Sequence, residues 1–205
     1  MSAFIDIIMS MIFGSTLFMI VLSANDIASE TQTVYNNDMI VQEMLTSTVQ
    51  LLEGEFRNMG YGVDPLQTTV VYADTGRISF LSDLGRDGGT IDTITYTVGN
   101  PSELLDTQNE MDRYVYRQVN HDPVMRVGVV TVFRLTYRAQ SAEILPTPVP
   151  VDRRSEIYSV EVTIEVQNPY APYRPPDMVK SGERNALFSS SLWQQTRLAS
   201  QSLRR

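Results

Sequence analysis

The sequence contains no cysteine and a single histidine, His121, among its 205 residues. The absence of cysteine excludes disulfide bonds, thiolate catalysis and cysteine-ligated metals. One histidine cannot build a histidine-rich metal site or a relay of two imidazoles, and its surroundings, Asn-His-Asp-Pro, are typical of an exposed turn. Most enzyme mechanisms therefore lack their usual side chains. We predict a protein without catalytic activity and without a cofactor.

Basic residues are missing from the first quarter of the chain. The first of them is Arg57, whereas seven acidic residues precede it. The whole chain carries a formal net charge of -8 and has a pI near 4.6. Because phosphate binding needs a basic surface, nucleic acid is not an expected partner. The hydrophobic content of 42% excludes a disordered chain.

Charge is also absent from Ile7 to Ala24, a run of eighteen residues. A helix of that length is about 27 Å long, close to the thickness of the hydrocarbon core of a bilayer. We therefore predict that residues 1–24 form the transmembrane half of an N-terminal helix. A cleaved secretory signal and a buried core helix are the alternatives. A signal peptide is disfavoured because the positive n-region is missing and the helical pattern continues past Ala24.

No proline occurs before Pro65, and apolar residues recur at spacings of three, four or seven as far as Met59. Gly60-Tyr61-Gly62 then supplies a stop signal. The pattern predicts one helix of about 55 residues, with residues 25–62 as its amphipathic half. The predicted apolar stripe consists of Ile27, Val34, Val41, Leu45, Val49, Leu52, Phe56 and Met59.

In residues 63–205 the apolar period changes to two, which predicts an antiparallel β domain. The part of the stripe from Val41 to Met59 is expected to cover its apolar face, which makes the fold class α+β. The predicted strands are 69–72, 77–81, 93–98, 113–117, 127–138 and 158–166, and a last strand is favoured over a short helix within 187–198. The proline-rich segments 145–150 and 168–176 are predicted to be exposed loops or edges.

A long N-terminal helix, apolar and then amphipathic, packed on an antiparallel sheet resembles the architecture of type IV pilins. The motif Arg57-Asn58-Met59-Gly60-Tyr61 is similar to the helix end of PilW-type minor pilins and of J-type minor pseudopilins of type II secretion. Looser matches follow in the family's order at 94–96, 113–117, 128–137 and 158–162, so that the resemblance covers most of residues 4–166. The resemblance implies a non-catalytic filament subunit.

The resemblance also implies where assembly residues lie. Met1–Asp6 takes the place of the family's basic leader and Gly-Phe-Thr-Leu-Ile-Glu processing motif, so we do not expect processing by a prepilin peptidase. Loss of the initiator methionine would leave Asp6 fifth from a free amine, where the family has a glutamate thought to meet a neighbouring subunit's amine. Asp6 is the predicted assembly residue, and a place among lipid head groups is its alternative. Ser10 and Gly14, four residues apart, predict close helix packing.

Three further sets of residues are candidates for function. They are the helix-end motif Arg57, Gly60 and Tyr61, the calcium candidates Asp83, Asp87 and Asp92, and the partner-loop residues Tyr170, Tyr173 and Arg174. Ordinary turn aspartates and a plain surface loop are the alternatives for the last two sets. The acidic residues between 103 and 112 are expected to form a solvated face.

Together these features predict a membrane-anchored subunit of minor pilin or pseudopilin type, which belongs to an extracytoplasmic filament or secretion complex. The expected partners are the lipid bilayer and other pilin-like subunits, contacted through the N-terminal helix. We expect a single-pass protein of the cytoplasmic membrane with its C-terminal domain outside, or a protein incorporated in a surface filament. The alternative is a stand-alone membrane-tethered binding or adhesion module that uses the loop 168–176.

Overall fold

The computed structural model describes residues 2–85, 90–104, 107, 109, 111–168 and 191–199. Within these residues, one long helix precedes eight strands. The elements are α1 (Ser2–Arg57), β1 (Val70–Asp74), β2 (Arg77–Ser82), β3 (Asp92–Val98), β4 (Arg113–Val119), β5 (Met125–Val130), β6 (Val132–Arg138), β7 (Ser159–Gln167) and β8 (Ser191–Leu198), with 3₁₀ turns at Pro101–Glu103 and Val151–Glu156. The predicted α+β class is confirmed.

The helix α1 has 56 residues and ends at Arg57, five residues before the predicted end at residue 62. Its C-terminal half packs on the β domain through the predicted stripe, since the six residues from Val41 to Met59 are all buried. Each such side chain contributes roughly 1.5–3 kcal/mol when it leaves water. The buried stripe does not extend to Ile27, which is 61% exposed.

The strands form two antiparallel sheets rather than the single sheet expected. The first sheet has the order β1-β2-β3-β4-β5, and the second has the order β6-β7-β8. The predicted strand 127–138 is therefore wrong as one element, because the chain leaves the first sheet at Thr131. Val130 and Thr131 are both buried, which interrupts the alternation of inward and outward side chains. The Thr131 amide donates to the Glu165 carbonyl (2.8 Å), which starts pairing with β7.

The two sheets share one core that is closed on one side by α1. The helix contacts β5 of the first sheet and β7 and β8 of the second. Phe56 lies at the centre of this core, with edge-on ring contacts to Phe80 at 5.4 Å and to Tyr96 at 5.5 Å between centroids. The predicted cover of the sheet by the amphipathic half of the helix is thus confirmed.

The loop 145–150 combines an exposed surface with two buried anchors. Its three prolines are exposed, as the sequence predicts, whereas Leu145 and Val149 are buried. Backbone hydrogen bonds fix both anchors, from the Leu145 amide to the Tyr137 carbonyl (2.9 Å) and from the Val149 amide to the Ala73 carbonyl (2.8 Å). The strand favoured for the tail is present as β8.

Candidate functional site

A charged contact joins α1 to the first sheet near the helix end. The Arg117 guanidinium donates to both carboxylate oxygens of Glu55, with Nη2 to Oε1 at 2.6 Å and Nε to Oε2 at 3.0 Å. The Tyr96 hydroxyl donates to Glu55 Oε2 at 2.6 Å. Burial and the Glu55 charge raise the pKa of Tyr96 far above its usual range, and the hydrogen bonds to Glu55 raise the pKa of Arg117. Tyr96 therefore stays neutral and Arg117 stays charged at physiological pH.

Sequence reasoning missed this contact, although a signal for it exists. Arg117 shares a strand face with Val115, which is fully buried, and it pairs across the sheet with Tyr96. An arginine on a core-facing side must meet an acid, because an unpaired buried charge is costly. Glu55, next to Phe56 in the stripe, is the acid that α1 brings to this place.

The helix-end motif turns the chain from α1 into the first sheet. Arg57 is the last helical residue and pairs with Glu53 one turn earlier at 3.4 Å. Gly60 has a φ of 77°, which favours glycine, and its amide donates to the Leu81 carbonyl at 2.7 Å. The Tyr61 carbonyl accepts from the Asp83 amide at 2.8 Å, while its side chain is 46% exposed. The motif thus docks the end of α1 on the end of β2.

Gly60→Ala is expected to lower the free energy of unfolding by about 1–2 kcal/mol, because a Cβ disfavours the left-handed conformation. The matched control is Gly54→Ala within α1, where an added Cβ meets no atom within 4 Å. That change should raise the stability by about 0.5–1 kcal/mol. Urea unfolding of the full chain in detergent measures both values. Equal effects of the two variants would contradict the assigned turn.

The N-terminal half of α1 is exposed wherever its side chains are described. Among the described side chains of α1, Asn37 is the first that is buried, and its oxygen accepts from the Asn168 amide nitrogen at 2.9 Å. Every side chain that the structure describes from Phe4 to Asn36 is exposed. This free segment contains large apolar residues, among them Phe13 and Leu17 at 64% and 62% exposure. Within the described residues, α1 is the one helix long and apolar enough to cross a membrane.

The three predicted assembly residues lie on one face of this free segment. Asp6, Ser10 and Gly14 are each four residues apart, which places them one above another on a helix. The Ser10 hydroxyl donates to the Ile7 carbonyl at 2.8 Å, so this polar group is satisfied within the helix. An added Cβ at Gly14 meets no atom within 4 Å, which leaves the surface at this point flat and open. Their role in assembly stays a prediction.

The calcium candidates are only partly described. Asp83 is buried at the end of β2, directly against Gly62, and Asp92 accepts from the Asn120 side chain at 2.7 Å. Asp87 lies outside the described residues. Among the residues that are described, no three His, Asp or Glu side chains come together to hold a metal ion. Calcium binding by the complete set stays a prediction.

The partner-loop residues, His121 and the acidic residues up to 112 are the remaining candidates, and only some of them are described. Tyr170, Tyr173 and Arg174 lie outside the described residues, and His121 is exposed in the turn between β4 and β5, as predicted. The expectation of a solvated acidic face is wrong for Asp112, which is 1% exposed because its amide donates to the Asn109 carbonyl in a turn (3.1 Å) that folds it inward. Burial raises the pKa of its carboxyl.

The fold has a likeness among solved structures. The chain is similar to a type IV-like pilin from Thermus thermophilus, with 13% sequence identity, coverage of 80% of this chain and 97% of the pilin chain, and a TM-score of 0.44. No family model and no curated protein matches the sequence. At this level of similarity the likeness is one of general architecture and assigns no activity or partner.

Proposed function

We propose that this protein is a non-catalytic, membrane-anchored subunit of an extracytoplasmic filament or secretion complex, of minor pilin or pseudopilin type. The observation that carries the proposal is α1 itself. One continuous helix is packed in the domain core at one end and fully exposed and apolar at the other. Such a surface needs either lipid or other helices around it, since exposed apolar area costs free energy in water.

The continuity of α1 supports a filament subunit over a simple tether. A tether needs an apolar span and any linker, whereas α1 runs without a break from Ser2 into the core. The rod therefore holds the domain in a fixed direction relative to the apolar segment. That arrangement lets the segment move from lipid into contact with other helices while the domain keeps its position beside its neighbours. The polar part from Asn25 to Asn36 spans about 18 Å at 1.5 Å per residue.

The direction of insertion is part of the proposal. No lysine or arginine lies near the apolar run on either side, so the charges beside it give no direction. The chain is acidic and has no cysteine, which fits an extracytoplasmic domain. We place the β domain on the extracytoplasmic side of the cytoplasmic membrane. The alternative of a stand-alone binding module rests on the loop 168–176, and no described contact favours it over the filament subunit.

Asp6→Ala tests the assembly role of the exposed apolar end of α1. We expect the variant to insert in the membrane as wild type does, and to co-purify about tenfold less with other long-helix membrane proteins of its host, a change of about 1.4 kcal/mol. The physical reason is the loss of a carboxylate that needs a positive partner at the membrane boundary. Asp26→Ala, at the other end of the apolar run, is the matched control. Unchanged co-purification of the Asp6 variant would refute the role.

A further inference from the structure

We propose that the side of α1 formed by Tyr35, Met39 and Glu43, here the docking face, binds the helix of a different membrane-anchored subunit that carries lysine or arginine opposite Glu43. This inference rests on the proposed function and names the partner that α1 selects. A second copy of this chain is the occupant that the charges disfavour.

The docking face turns from the side of α1 to the side opposite the β domain. At 100° per residue, Tyr35 lies about 100°, Met39 about 140° and Glu43 about 180° from Leu52, which is buried in the core. Tyr35 and Met39 are 69% and 63% exposed, and Glu43 is exposed as well. Large apolar side chains four residues apart, followed by a charged one, form the ridge that a second helix packs against.

The docking face continues the face of the predicted assembly residues. Ser10 and Met39 lie within about 20° of each other around the helix axis, and so do Gly14 and Glu43. One partner helix parallel to α1 can therefore contact small residues in the apolar segment and then Tyr35, Met39 and Glu43 above it. Contact along both regions requires a partner anchored in the same membrane with the same direction.

The negative charge of α1 indicates what kind of partner helix fits the docking face. No lysine or arginine precedes Arg57, whereas the acidic side chains of Asp6, Asp26 and Glu43 are exposed on α1. Two parallel copies of α1 would bring Glu43 against Glu43, with no positive side chain of the first 56 residues near enough to offset the repulsion. A partner helix with a basic side chain at this height replaces that repulsion with an ion pair. The acidic helix thus favours a mixed assembly over a homopolymer.

In the test, a Glu43→Lys variant of this chain stands in for the partner helix with a basic side chain. Since the protein has no cysteine, Gln140→Cys in an exposed turn takes one donor or acceptor dye. Full-length chains in liposomes of neutral lipid are compared by energy transfer as wild type alone, as Glu43→Lys alone, and as an equimolar mixture. We expect the mixture to associate at least about tenfold more tightly than either chain alone, and high salt to reduce the difference.

Two further variants separate the docking face from general charge effects. Asp152→Lys makes the same change in net charge on the exposed surface of the domain, and its mixture with wild type should not associate more tightly. Met39→Ser in both chains should weaken the mixture of wild type and Glu43→Lys.

Three results of the energy-transfer experiment would contradict the proposals. Wild type that self-associates as tightly as the mixture would show that a second copy occupies the face. A mixture no tighter than its components would show that the face does not dock a helix. Either result overturns this inference and leaves the anchored subunit intact, whereas failure of wild type to insert in the liposomes would overturn the proposed function itself.

Discussion

Arg117→Met is expected to lower the free energy of unfolding by about 3 kcal/mol, which corresponds to a decrease in Tm of about 6–12 °C for a chain of this size. The side chains of Arg117 and Glu55 are 18% and 13% exposed, so the variant leaves a nearly buried carboxylate without its cation. The hydrogen bond from Tyr96 remains but carries no full charge. Thermal and urea unfolding of the full chain in detergent measure the loss.

Two controls distinguish a desolvated ion pair from surface charge. Arg153→Met removes contacts to Glu143 and Glu156 at 3.1 and 2.7 Å that are far more exposed, and it should lower the free energy of unfolding much less than Arg117→Met. The triple change of Glu55→Met, Tyr96→Phe and Arg117→Met removes every polar partner together and should recover most of the stability. A loss under about 1 kcal/mol for Arg117→Met, equal to that of Arg153→Met, would contradict this account of the contact.

Phe13→Asp combined with Leu17→Asp is expected to release the protein from the membrane. Both residues lie within the uncharged run from Ile7 to Ala24. Each carboxylate at the centre of a bilayer makes the free energy of insertion less favourable by about 2.5–3.5 kcal/mol. The pair therefore removes roughly 6 kcal/mol of insertion free energy, enough to shift the protein almost entirely to the soluble or aggregated fraction. Carbonate extraction of membranes followed by immunoblotting measures the change.

The matched control places the same charges outside the apolar run. Ile27→Asp with Thr31→Asp keeps the spacing of four residues on exposed positions of α1. This control should remain in the membrane fraction as wild type does. If the first pair also stayed with the membrane, or if both pairs released the protein equally, the uncharged run would not be the anchor.

The sequence predicts the elements of this fold well because each has a strong local pattern. The α1 stripe repeats with helical spacing up to Met59, and glycine at 60 ends it. The break between β5 and β6 at Thr131 has no such local pattern. Val130 and Thr131 are both β-branched residues, which are common inside strands, so the sequence gives no sign of an interruption there. The face on which each side chain is buried depends on the partner strand. Pairing between distant strands is a tertiary property, so the pattern of one segment does not reveal it.

Some residues of the candidate site can be predicted from the sequence and others cannot. The spacing of Asp6, Ser10 and Gly14 fixes a shared helix face from sequence alone, because i, i+4 neighbours always adjoin. The ion pair of Glu55 with Arg117 joins residues 62 positions apart. It depends on the rotation of α1 about its axis over the sheet, which only the packed structure gives. The role of Asn37 as the point where α1 leaves the domain depends equally on a contact with Asn168.

N-terminal sequencing of the protein purified from the membrane fraction of its host tests the central claim most directly. The account predicts a chain that still contains the whole segment from Phe4 to Ala24 and that resists extraction with carbonate. A mature chain that begins near Asn25, recovered without detergent, would show that the apolar half of α1 is removed. That result would contradict both the anchor and every contact proposed for it.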